Sequence, residues 1–138
     1  MTTQYKHKSL REKIAAETEE REERYRFFSR LVTKAHLKAH EAVKQHTPTP
    51  MHVTDGENNW VIDEGVCGFA EVRLPKGNTS FARWAKKNTA FEKHYGGGLY
   101  LWVSDYNQSM ERKEVYARTY ADVLNRNGIE AYATSRMD

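Results

Sequence analysis

The sequence predicts a small α+β protein: a small sheet with two helices packed on it, preceded by a long, charged N-terminal helical arm. Three observations point there. No Gly or Pro interrupts residues 10–47, and Pro48 and Pro50 end that run. Behind it, segments of alternating and of helical periodicity follow in the order strand, helix, strand, helix, strand. The apolar residues gather after position 59, which places the expected core in the second part of the chain. The division that follows is an arm over residues 1–47 and a compact α+β domain over residues 48–138.

The arm opens on Ser9-Leu-Arg-Glu12, a capping box with Ser9 as N-cap. Residues 17–24 contain no apolar side chain, so they form either a solvated spacer or a break between two helices. Glu17→Arg21 and Glu20→Arg24 are spaced to support an exposed helix as i,i+4 pairs. Beyond Arg24, Tyr25, Phe27, Phe28, Leu31, Val32, Ala35, Ala39, Ala42 and Val43 fall on one broad helical arc. Arg26, Arg30, Lys34 and Lys38 form a basic row beside it. That row is either a solvated face or a ridge for phosphate.

In the domain, residues 51–53 and 59–62 flank the turn residues 55–58 and read as a hairpin. Residues 66–74 form the strongest strand, with Val66, Gly68, Ala70, Val72 and Leu74 on one side and Cys67, Phe69, Glu71 and Arg73 on the other. Asn78 or Thr79 can cap a helix carrying Phe81, Trp84 and Ala85. A strand follows at 99–103. Ser109 caps a helix over 110–127, whose apolar face is Tyr116, Tyr120, Val123 and Leu124, and Gly128 stops it. Residues 129–133 form the expected last strand.

Composition limits the function classes. The 138 residues are 38% apolar and 30% charged, with a mean hydropathy of −0.88, so the core is modest. A lone cysteine, Cys67, excludes an internal disulfide framework and fits a reducing compartment. No apolar run approaches a membrane span, and residues 1–8 lack the apolar segment of a signal peptide. The expectation is a soluble protein, intracellular or carried in a particle, with no membrane partner. Residues 1–50 hold 11 Lys/Arg and 7 Asp/Glu, a net of +4, whereas the remainder holds 11 and 12, a net of −1. The basic character belongs to the arm and suits an acidic partner such as nucleic acid.

Candidate chemistry is sparse. Cys67, with His52 and His94 elsewhere, matches no thiol-protease signature, and a small buried-type Cys on a strand is usually packing. His36 and His40 are spaced to face one metal ion, but Leu37 stands where H-E-x-x-H has its glutamate; no metal or cofactor is expected. Tyr95-Gly-Gly-Gly98 runs from a loop into a strand, which suits close backbone approach rather than a phosphate cradle. The turn 104–109 leads from a strand into a helix start. Asp105, Asn107, Gln108 and Ser109, with Lys113 one turn in, are therefore the candidate small polar site. Residues 68–74 resemble the RNP1 strand of an RNA-recognition motif and residues 99–103 its RNP2 strand, but in reversed order and with Glu71 in place of a stacking aromatic. This pattern reads as strand composition. The surplus of Trp60, Phe69, Tyr100 and Trp102 is either core or a stacking face.

Several short segments together resemble a group of small uncharacterised proteins of tailed bacteriophages. They are Thr47-Pro-Thr-Pro-Met51, Asp63-Glu-Gly-Val-Cys-Gly-Phe-Ala70, Phe81-Ala-Arg-Trp84, Tyr95-Gly-Gly, Asn107-Gln-Ser109 and Ser135-Arg-Met-Asp138. The resemblance covers residues 47–138 and implies expression in the cytoplasm of an infected bacterium, or a place within the virion. It brings no activity and no catalytic residue. The leading expectation is a non-catalytic accessory protein that binds a macromolecule, nucleic acid or a bacterial host protein, through Arg26, Arg30, Lys34, Lys38, Arg83, Lys86 and Lys87. A virion structural or assembly component is the first alternative, with the arm pairing between copies to give a homo-oligomer. Its heptad seam, at positions 14, 21, 28, 35 and 42, is poor. A small enzyme using Cys67 or the 104–109 turn is the second.

Overall fold

A computed structural model describes residues 9–138; the leaderless reading of residues 1–8 lies outside them. The fold is α+β. One unbroken helix, α1 (Leu10–Gln45), begins at Ser9, whose Oγ accepts the Glu12 N–H at 3.1 Å. Residues 17–24 are therefore a solvated spacer within a single rod, not a break. The pairs Glu17→Arg21 and Glu20→Arg24 are not closed among the described residues. Fully exposed long side chains lose more rotamer freedom in such pairs than a screened attraction returns.

A two-stranded ribbon follows, β1 (Met51–Thr54) against β2 (Asn59–Ile62), as the turn residues predict. The body then runs β3 (Gly68–Leu74), α2 (Ser80–Asn88), β4 (Glu92–Lys93), β5 (Leu99–Trp102), α3 (Met110–Arg126) and β6 (Tyr132–Met137). These strands make one antiparallel sheet in the order β4-β5-β3-β6, the split βαβ arrangement β-α-β-β-α-β. Thr79 and Ser109 cap α2 and α3 through their hydroxyls, and Gly128, at φ 82°, follows α3.

The last strand starts later than expected. Ile129 closes the α3 terminus through its N–H to the Leu124 carbonyl, and the Asn125 side chain bonds both backbone groups of Ala131 at 2.9 Å. The backbone is freed for sheet pairing only from Tyr132. The two-residue strand β4 has no periodicity of its own to read.

The core is not confined to the residues after position 59. Phe28, Leu31, Ala35, Ala39 and Val43 of α1 are buried in the same cluster as Val72 and Leu74 of β3, Phe81 and Trp84 of α2, Phe91, and Tyr120 and Leu124 of α3. An arc with a helical period must bury its apolar stripe somewhere, and the helix layer offers the surface. The Phe28 ring meets Phe81 edge-on at 5.2 Å and Trp84 at 5.8 Å. α1 packs on α3 more extensively than any other pair of elements pack, and touches α2 lightly. The layers are thus α1, then α2 and α3, then the sheet. Ahead of Phe28, the helix is solvated for roughly five turns.

The connection from α1 to the ribbon is tied to the start of α3 by Glu111. Its carboxylate accepts the Thr49 N–H at 2.6 Å and the Thr49 hydroxyl at 3.2 Å. His46 Nε2 lies 3.2 Å away, within ion-pairing distance though not aligned as a hydrogen bond. The Thr49 N–H foremost, then His46, holds the Glu111 carboxyl below its ordinary value of 4.5.

Two expectations follow for stability. Leu31→Ala destabilises the whole domain by about 2–5 kcal/mol in urea denaturation, whereas Ile14→Ala, on the solvated part of α1, shifts it by less than about 0.5 kcal/mol. Equal effects of the two changes would contradict the shared core. Because Glu111 has a lowered pKa in the fold, its contribution is complete above 4.5 and fades as pH falls through the lowered value. Glu111→Gln therefore loses stability at neutral pH and shows a flatter acid-side decline than the native chain.

Candidate functional site

The helices cover one face of the sheet and leave the other open. Alternation along β3 sends Gly68, Ala70, Val72 and Leu74 to the helices and Phe69, Glu71 and Arg73 outward. Register extends each outward position into a row. Tyr132, Arg73 and Tyr100 form one row, and Thr134, Glu71 and Trp102 the next; Arg136 and Phe69 pair at the end. Three of the four residues in the aromatic surplus, Phe69, Tyr100 and Trp102, are on this face and not in the core. Trp60 is exposed on the separate ribbon. The two strands read as a reversed RNP pair are adjacent central strands, and their aromatic side chains share one surface.

The face is concave, with a volume of about 540 Å³ bounded by the sheet residues and by His94 and Tyr95. Phe69 and Trp102 lie 5.2 Å apart with planes tilted by 35°. Trp102 is 41% exposed, Tyr132 44% and Tyr95 99%. The Arg136 guanidinium is 5.5 Å from the centre of the Phe69 ring, and that of Arg73 is 5.8 Å from Tyr132. Arg73, Lys93 and Arg136 outnumber Glu71 among the residues that line it, and Glu92 lies beside Tyr100 at the β4 edge. Tyr100 donates its hydroxyl to Glu92 at 3.1 Å, which pushes its ionisation up.

Glu71 occupies the middle. It is not in open solvent, as its strand position alone implies, because neighbouring rows enclose it. Its Oε1 accepts from the Thr134 hydroxyl at 3.3 Å and lies 3.5 Å from Arg73 and 3.9 Å from His94. These contacts are long. Arg73 is no better served: it reaches the Gly97 carbonyl at 3.5 Å, and its Nε is buried with no partner among the described residues. Gly97 and Gly98 form the turn that closes this end. A Cβ on Gly98 would stand 2.0 Å from the Leu74 carbonyl oxygen, which accounts for a glycine where the loop crosses β3.

The basic residues singled out from the sequence lie elsewhere. Arg26, Arg30, Lys34 and Lys38 are exposed on α1, and Arg83, Lys86 and Lys87 are exposed on α2. None forms an ion pair among the described residues. α1 is the layer farthest from the open sheet face, so its row cannot act on the same small ligand as Trp102.

The 104–109 turn does not assemble a polar pocket. Asp105, Asn107 and Gln108 are exposed, but Ser109 and Lys113 are buried and occupied. Ser109 Oγ donates to the Glu64 carbonyl at 3.0 Å and accepts the Arg112 N–H at 3.2 Å. Lys113 Nζ donates to the Gly68 carbonyl at 3.2 Å and lies 5.4 Å from the Phe69 ring centre. The space that a Cβ on Gly68 would take is filled by Met110 and the Arg136 carbonyl, and Lys113 sets a cation against the Phe69 ring. Tyr106 and Asn107 have left-handed backbone, φ 72° and 54°, an arrangement that costs about 1–3 kcal/mol per residue and needs outside support. His40 Nδ1 supplies it, 2.8 Å from the Tyr106 hydroxyl.

His36 and His40 stack at 6.0 Å, and the Nδ1 of His36 is 2.7 Å from the Tyr116 hydroxyl. Their Nδ1 atoms are thus spent on tyrosines, and no group of three metal-ligating side chains occurs among the described residues. Cys67 is exposed, its backbone bridged to Ser109, and no hydrogen bond joins it to a histidine among the described residues. Phe28 and Ala35, two positions of the heptad seam, are buried in the protein's own core. Those two positions are unavailable to a second copy, whereas Ile14 and Arg21 are exposed. Among the described residues no helix is long and apolar enough to cross a membrane.

Comparisons with protein-family models, curated proteins and solved structures give no match.

Proposed function

We propose that this chain is a non-catalytic binding protein that takes single-stranded nucleic acid on the open face of its sheet. One observation carries the reading: Phe69 and Trp102 form a 5.2 Å aromatic pair on an uncovered sheet face, with Tyr100 beside them. Bases stack on such surfaces because every base has a π-face, and each stacked base contributes about 1–3 kcal/mol. Arg136 at the end of the platform and Lys93 at its β4 edge supply charge for the backbone. A soluble partner protein uses aromatic surfaces too, but the interleaved arginines and the bare, twisted sheet favour a strand of nucleic acid. The tailed-phage origin implied by the short sequence segments agrees with such a role and is proposed with it.

The basic row of α1 then has a secondary part. It raises the rate of encounter with any polyanion, without selecting what the sheet holds.

Fluorescence anisotropy with labelled single strands, across a salt series, tests the reading. Trp102→Ala weakens binding by about 1–3 kcal/mol, roughly 5- to 150-fold in Kd. Reversing Arg26, Arg30, Lys34 and Lys38 to glutamate lowers the salt slope but leaves the Trp102 dependence intact. Binding that survives Trp102→Ala and vanishes on charge reversal would move the interface to α1.

A further inference from the structure

The centre of the open face has an unusual pairing for a stacking surface. Glu71 and Arg73 stand two residues apart on β3, both outward, both largely enclosed, and both poorly served by the protein. Glu71 presents two carboxylate oxygens, about four acceptor sites and no donor. Its recorded contacts are at 3.3, 3.5 and 3.9 Å, and all are to Oε1. Arg73 presents five donors and no acceptor, and meets two oxygens at 3.5 Å while its Nε has none among the described residues. Enclosed polar groups left in this state cost free energy in the unliganded protein. A ligand edge that offers two donors next to one acceptor would relieve both residues together.

Among the nucleobases, one edge has that order. Guanine presents the N1–H and N2–H donors side by side, with the O6 acceptor next to them. A carboxylate can accept both donors at once while a guanidinium donates to O6. Adenine and uracil each offer one donor on the corresponding edge. Cytosine offers one donor beside two acceptors, which leaves one carboxylate oxygen without a proton.

The surroundings suit a flat base. Glu71 is level with Trp102 on one side and Thr134 on the other, and Arg73 is level with Tyr100 and Tyr132. Aromatic walls therefore stand on both sides of the charged pair. The concavity of about 540 Å³ is within the range of small-ligand sites. The Arg73 guanidinium is oriented by the Tyr132 ring at 5.8 Å, so its donors are held in place before a ligand arrives.

We infer that Glu71 and Arg73 read a guanine base held among the aromatic side chains of the open sheet face. The inference rests on the nucleic-acid reading above and adds base selectivity to it. The contact lies on the base, so ribose and deoxyribose strands should share it.

The test uses the full chain and labelled strands of about eight nucleotides, a usual length for such sites. Each strand is uridine throughout except for one central guanine, adenine, cytosine or inosine; a parallel set has a thymidine deoxyribose background. The guanine strand is expected to bind about tenfold more tightly than the adenine and cytosine strands, the size of one good bidentate contact. Inosine lacks only the N2 amino group and should lose most of that preference without any change in the protein. Glu71→Gln should bring the guanine strand to the level of the adenine and cytosine strands. Equal binding of all strands by the native chain overturns guanine reading and leaves the stacking reading standing. No binding to any strand overturns both. A guanine preference that survives both inosine and Glu71→Gln places the selectivity outside this pair and overturns the assignment. A preference confined to the ribose set makes the 2′-hydroxyl part of recognition and overturns the purely base-borne contact.

Discussion

The apolar stripe on the second half of α1 has to be buried, and it is buried on helices and not on the sheet. Ala35 and Ala39 of α1 and Ala117 and Ala121 of α3 are all covered, and side chains this small let helix axes come close. Phe28 fills the remaining space between Phe81 and Trp84. With its longest helix committed to that side, no helix among the described residues lies over the far face of β3 and β5. The open sheet surface is thus a consequence of where one helix spends its apolar residues.

That surface departs from the usual division of an antiparallel sheet, in which the uncovered face is simply polar. Here the uncovered side carries Phe69, Tyr100, Trp102 and Tyr132 together with Glu71, Arg73 and Arg136. Aromatic groups left in contact with water, and a charged pair whose hydrogen bonds are long, both weaken the unliganded fold. In the proposed reading, a bound base completes both. The buried Lys113 sharpens the point, since its charge is set beneath Phe69 at the end of the same platform.

A second set of interactions keeps the sheet and α1 in register with each other. The stacked pair His36 and His40 meets Tyr116 and Tyr106, and those two rings touch each other at 5.8 Å. Burial pushes the ionisation of Tyr116 and Tyr106 upward, so both hydroxyls keep their protons. Through Tyr106 the outermost helix holds the strained loop that leaves β5, and that loop leads directly into α3. What reads in the chain as a metal-type spacing is a tyrosine-histidine clasp.

Local physics determined much of this protein from the sequence alone. The caps at Ser9, Thr79 and Ser109, the glycine stop at 128, the period-two pattern of β3 and the hairpin around residues 55–58 each depend on neighbours a few positions apart, and each was legible. So was the α+β class. The sites were not. The basic row was the most visible feature of the sequence, but charge on an exposed helix says nothing about what lies across the molecule. The 104–109 turn offered the right residue types, yet Ser109 and Lys113 point into the fold because Glu64 and Gly68 are there to receive them. Whether Phe69, Tyr100 and Trp102 were core or surface depended on which side of the sheet the helices took. Period-two alternation defines two faces without saying which is covered. Only the packing of α1, α2 and α3 on one side decided that, because it is a long-range choice made by burial of apolar area and not by any local pattern.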